Sequence, residues 1–222
     1  MPGVAELEQR LRDLATDEQR RKYRRFFPGD DSFIGVRMGD VFALAKTALR
    51  LPVADLETLL ASDTHEVRVL ACSIMGKAAR SRQAELFALY RRRHDRIDTW
   101  DLVDLVAYQL AGSWLQDKPR DPLYEWARGD FWPARRSAIV ATAAFLRQGQ
   151  TADTLALARI LIADPEIFVQ KGVGWMLRYA GDVDRPALVE LLDEHAARMP
   201  RPMLRAAIEK FPKDDRTGYL AR

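Results

Sequence analysis

Leu157-Ala158-Arg159-Ile160-Leu161-Ile162-Ala163-Asp164 reads like Leu56-Glu57-Thr58-Leu59-Leu60-Ala61-Ser62-Asp63. In both stretches apolar residues at helical spacing run into an aspartate suited to a turn. Turn aspartates of this kind fall at Asp63, Asp98, Asp130 and Asp164, at intervals of 35, 32 and 34 residues. Such a period, with two helices per unit, is the signature of an α-solenoid. Residues 188–211 read as a further unit, with Pro200 and Pro202 at its turn. No run of alternating strands and no Asn-Gly or Asp-Gly hairpin signal competes with this reading. The expectation is an all-α chain.

Working outward, residues 4–25 read as an amphipathic helix or a helix pair, with Leu7, Leu11 and Leu14 on one stripe. Arg20, Arg21, Lys22, Arg24 and Arg25 form a basic run that is either a solvated face or a phosphate contact. Phe26-Phe27-Pro28-Gly29-Asp30-Asp31 carries turn chemistry. Helical periodicity resumes from Met38 to Leu49, and Pro52 ends that helix or starts the next. The expected organisation is one domain over 1–222: N-terminal helices to residue 52, repeats over 53–211, and a tail over 212–222.

Composition narrows the function classes. With 48% hydrophobic and 30% charged residues the chain is an ordinary globular one rather than disordered. No run of about 18 apolar residues suggests a membrane span, and the N-terminal segment lacks the apolar core of a signal peptide. The single cysteine, Cys72, excludes an internal disulfide and a cysteine-rich zinc site, which fits a reducing cytoplasm. His65, His94 and His195 lie far apart, so no metal is expected. The net charge is only +3, so any basic surface depends on how the charge is distributed.

The chemistry concentrates in Asp98-Thr99-Trp100-Asp101-Leu102-Val103-Asp104-Leu105-Val106. Read as a helix, this stretch puts Trp100 and Asp104 on one face, a turn apart. An aromatic beside a carboxylate is costly to bury and sensible to expose in a cleft. Asp101 reads as a surface acid. By rough alignment of the repeats, Arg68, Asp104, Arg135 or Arg136, Gln170 or Lys171, and Arg205 occupy equivalent inner positions. They would give a basic concave surface with one acid near its middle. Such a surface suits a phosphodiester backbone. The acid suits something cationic: an N-alkylated purine, or the C1′ of a deoxyribose losing its base. Trp100 and Trp175 add indole faces, each worth about 0.5–2 kcal/mol to a nearby cation.

At these residues the chain resembles the AlkD family of bacterial DNA alkylation-repair glycosylases. The resemblance runs from about Tyr23 to Phe211. It rests on Arg25-Phe26-Phe27, Phe33-Ile34-Gly35-Val36-Arg37, Trp100-Asp101-Leu102-Val103-Asp104, Trp132-Pro133-Ala134-Arg135-Arg136-Ser137-Ala138-Ile139 and Phe168-Val169-Gln170-Lys171-Gly172-Val173-Gly174-Trp175-Met176-Leu177-Arg178, in that order. It implies a single-domain right-handed α-solenoid of HEAT-like helical hairpins around a concave basic groove. It implies excision of cationic N3- and N7-alkylpurines from duplex DNA without flipping the lesion, by a cytoplasmic, nucleoid-associated monomer that uses no cofactor. Trp100 and Trp175 would face the lesion's deoxyribose, and Asp104 would stabilise the oxocarbenium-like sugar and help place the attacking water. Arg136, or its neighbour Arg135, would hold a phosphate beside the lesion, with Lys171 and Arg178 as further phosphate contacts.

Two other functions share these features. A non-catalytic solenoid for branched or distorted DNA would keep the basic groove and have no need of Asp104. A protein-interaction scaffold would show little DNA affinity.

Overall fold

The computed structural model describes residues 2–26 and 32–222. The turn expected over 26–31 falls almost wholly outside them. The described residues form helices and connecting turns, without strands. The chain divides into two compact units, 1–110 and 111–222.

The first unit opens with α1 (Val4–Leu14) and α2 (Asp17–Phe26), the helix-pair alternative. Leu7 and Leu11 are buried, whereas Leu14 is 43% exposed, so the expected stripe is one residue shorter. Exposed i,i+4 pairs, Arg10–Glu6 at 2.6 Å and Lys22–Glu18 at 2.7 Å, support the outer faces. Helices α3 (Met38–Lys46), α4 (Val53–Leu60) and α5 (His65–Arg92) follow. Pro52 takes the N-cap of α4. The long α5 breaks at Arg82 (φ −138°, ψ 29°), where the guanidinium donates to the carbonyls of Leu49 and Leu51 at 3.2 and 2.7 Å. The side chain thereby ties the kink to the turn before α4. Helix α6 (Trp100–Val106) continues directly into a π-helical stretch, Ala107–Gly112.

The second unit holds α7 (Asp121–Arg128), α8 (Trp132–Ala141), α9 (Ala143–Leu146), α10 (Ala152–Ile160), α11 (Ile167–Val183), α12 (Arg185–His195), α13 (Arg201–Ala207) and α14 (Lys213–Leu220). Proline stands in the first turn of α7, α8, α12 and α13, where its missing N–H costs nothing. Residues 213–220, expected as a tail, are a helix. Tyr219 packs edge-on against Phe211 at 5.7 Å and donates to Asp193 at 3.0 Å, which anchors it. No helix among the described residues is long and apolar enough to cross a membrane.

The repeat is visible in the spacing of helix starts. Helices α5, α6, α8, α11 and α13 start at residues 65, 100, 132, 167 and 201, intervals of 35, 32, 35 and 34. In the second unit the spacing is closed by glycines of α11. A Cβ on Gly174 would lie 2.5 Å from the Met203 carbonyl oxygen, and one on Gly172 would lie 3.2 Å from Arg136 Nη1. These glycines admit the neighbouring helices α13 and α8.

Candidate nucleic-acid interface

In the first unit, the backbone before α3 is held from below. Glu66, fully buried in the first turn of α5, accepts the N–H groups of Ile34, Gly35 and Val36 at 3.1, 2.8 and 3.1 Å. Gly35 has φ +97°, and a Cβ there would strike the Thr16 carbonyl, so the turn requires glycine. Tyr23 donates to the Val36 carbonyl at 2.7 Å and its ring lies 4.8 Å from Phe33. Burial and the Glu66 carboxylate raise the pKa of Tyr23 above its ordinary value, which keeps its hydroxyl a donor. The Phe33-Ile34-Gly35-Val36-Arg37 motif is therefore one wall of a built structure.

Beside it opens a cavity of about 450 Å³ lined by Tyr23, Phe33, Met38, Phe42, Val69, Leu105 and, on α6, Trp100, Asp101 and Asp104. Trp100 opens α6 and is 37% exposed, and Asp104 follows one turn later, half-buried. Asp101, expected at the surface, is instead drawn inward. Its carboxylate shares a 2.7 Å hydrogen bond with buried His65 Nε2 and accepts from Thr99 Oγ1 at 2.7 Å. Burial alone would raise the Asp101 pKa, but the bonds from His65 and Thr99 outweigh it and hold the carboxyl below the usual range. Asp101 thereby pins the first turn of α6, and with it Trp100.

In the second unit, α11 carries Lys171, Trp175 and Arg178 at i, i+4 and i+7 on one face. Lys171 is exposed and sits 5.8 Å from the Phe168 ring, which stacks on Trp132 at 5.5 Å. Trp175 is 39% exposed. Arg178 is ion-paired with Glu209. The two arginine candidates separate clearly. Arg135 donates from Nε to Asp164 at 2.6 Å and from Nη1 to the carbonyls of Gly129 and Asp130, an arrangement that holds the turn. Arg136 is buried, and its Nη1 donates to the Phe168 carbonyl in the first turn of α11.

The helix starts define a common register. The fifth positions of α5, α6, α8, α11 and α13 are Val69, Asp104, Arg136, Lys171 and Arg205. Arg68 and Arg135 occupy the fourth position instead. Arg68 pairs with Asp98 at 2.5 Å, and Arg135 pairs with Asp164. In each case an arginine binds the turn aspartate of the following repeat. The sequence placed Arg68 on the binding face; in the structure it is buried and forms a rung between repeats. Its signal in the sequence was the recurrence of an arginine about thirty residues before a turn aspartate.

The fold and these two surfaces define an all-α repeat protein that shows an aromatic–carboxylate pair over an apolar cavity on one unit and cations with an open tryptophan on the other. The sequence matches the family described as DNA alkylation repair enzyme over residues 7–211, and the chain belongs to that family. Its fold is similar to a solved structure described as a predicted DNA alkylation repair enzyme from Enterococcus faecalis, with TM-score 0.76 and 17% identity over 90% of this chain and 97% of the other. No curated protein matches the chain.

Proposed function

We propose that the protein is a monofunctional DNA glycosylase that hydrolyses the N-glycosidic bond of cationic N3- and N7-alkylpurines in duplex DNA without base flipping, and so initiates base excision repair. The observation that carries this reading is the Trp100–Asp104 pair at the rim of the apolar cavity. A protein that only grips phosphates gains nothing from a carboxylate on this register.

An alkylated purine is already a good leaving group. As the C1′–N bond breaks, its electron pair returns to the base and neutralises the purine's positive charge, while positive charge develops on the deoxyribose. Asp104 stabilises that charge, and the apolar walls beside it keep the local dielectric low, which strengthens the interaction. Trp100 offers an indole face to the same developing cation, and Trp175 presents a second exposed indole to the DNA. Water oriented by Asp104 adds to C1′ and releases its proton, leaving an abasic site. Lys171 and Arg136 serve the neighbouring phosphate. Lys171 is exposed and acts directly; Arg136 is buried and aligns the start of α11 through Phe168.

The test is base release from duplex DNA carrying N7-methylguanine, comparing wild type with Asp104→Asn. Abasic-site formation by wild type, lowered roughly 10²–10³-fold in the variant with DNA binding intact, is the expected result. Salt-dependent DNA binding without release by either protein would reassign the chain to recognition of DNA structure. Absence of both would leave a scaffold.

A further inference from the structure

Near its C-terminal end the second unit gathers a group of cations with a shared floor. Arg205 on α13 and Lys213 and Arg216 on α14 line one pocket of about 310 Å³, together with Ile208, Leu220 and Thr217. All three cations are exposed, and among the described residues none of their side chains has an ion pair or hydrogen bond. The one acid that lines the pocket, Glu209, is already paired with Arg178. Asp214 and Asp215 also belong to α14, but 213, 216, 217 and 220 recur at helical spacing and turn those acids to other faces. Elsewhere in the unit comparable cations find partners: Lys210 meets Asp182 at 2.5 Å and Arg222 meets Asp193 at 2.9 Å. Three cations held together without a counter-charge repel one another, and an anionic partner would relieve that cost.

The register says which partner. Arg205 holds the fifth position of α13, the place that Arg136 and Lys171 hold on α8 and α11. We propose that the α13–α14 pocket is a second phosphate clamp, in which Arg205, Lys213 and Arg216 bind the sugar–phosphate backbone of duplex DNA. This rests on the glycosylase reading for its choice of DNA, but it makes a separate demand. The clamp reads no base, so it adds affinity equally to damaged and undamaged duplex.

The experiment measures binding of the full chain to undamaged duplex across a salt series. It compares wild type, Arg216→Ala, the triple variant R205A/K213A/R216A, and Lys210→Ala as a control from the same region. The slope of log affinity against log salt should become shallower by about 0.9 in Arg216→Ala and by about 2 to 3 in the triple variant, and should hold in Lys210→Ala. Far-ultraviolet circular dichroism at each salt confirms that the exposed substitutions leave the helices formed. An unchanged slope in the triple variant overturns the clamp, even if wild type releases N7-methylguanine. A reduced slope in a protein that releases no base supports the clamp and counts against the glycosylase reading alone. Loss of binding to phosphatidylglycerol vesicles with duplex binding unaltered would also overturn it, in favour of a membrane surface.

Discussion

The fifth position of these recurring helices carries opposite chemistry in the two units. In the first it holds Val69 and Asp104, one lining the cavity and the other at its rim. In the second it holds Arg136, Lys171 and Arg205. The backbone device is the same, a helix that begins anew every 32 to 35 residues. The repeat therefore supplies position, and single substitutions within it supply function. An acid in one unit and cations in the other suit a ligand with anionic phosphates and one cationic point.

The sharpest way to break this contrast is to give the first unit the sign of the second. Asp104→Lys should abolish measurable base release from N7-methylguanine duplex, a loss of at least about 10²–10³-fold, while undamaged duplex binds more tightly. Retained release would end the contrast.

The rungs come next. Arg135→Ala removes the counter-charge of Asp164, whose side chain is only 4% exposed and keeps the Glu166 N–H at 2.9 Å, and should cost about 3 kcal/mol in urea unfolding. Arg68→Ala leaves Asp98, 37% exposed, able to reach water, and should cost only about 1 kcal/mol. Equal losses would show that burial of the aspartate does not govern the rung.

Acid should act on the first unit through His94. Burial holds its pKa down to about 4, against an ordinary 6.5. The unfolded chain takes up this proton first as pH falls, so stability is full above pH 6.5 and drains away down to about pH 4, a loss of about 3 kcal/mol. His94→Gln should flatten the pH profile of thermal unfolding over that window. The smallest effect belongs to Lys171→Ala. It should leave thermal stability unchanged and make the salt dependence of DNA binding shallower by about 0.9.

Helical periodicity and turn aspartates made the all-α repeat readable before any coordinates, because both are local patterns. That Trp100 and Asp104 lie one turn apart on one helix was readable for the same reason, as they are four residues apart. The cavity beside them was not, since Tyr23, Phe33, Phe42 and Val69 reach it from separate stretches. Asp101 was misplaced at the surface because its partner, His65, lies 36 residues away. Helical spacing also carried Leu14 into a stripe that ends before it, since periodicity does not report where a neighbouring element stops. The fourth-position arginines looked like ligand contacts because residue type alone does not distinguish a rung from an open cation.

The grip of Glu66 on residues 34–36 has a consequence in time as well as in shape. These amides belong to no helix, so solvent would ordinarily exchange their protons quickly. Each instead donates to a carboxylate buried in α5, and its exchange requires that carboxylate to let go. Ile34, Gly35 and Val36 should therefore exchange with deuterium as slowly as the helix that holds them, and the wall of the cavity will open only when the start of α5 does.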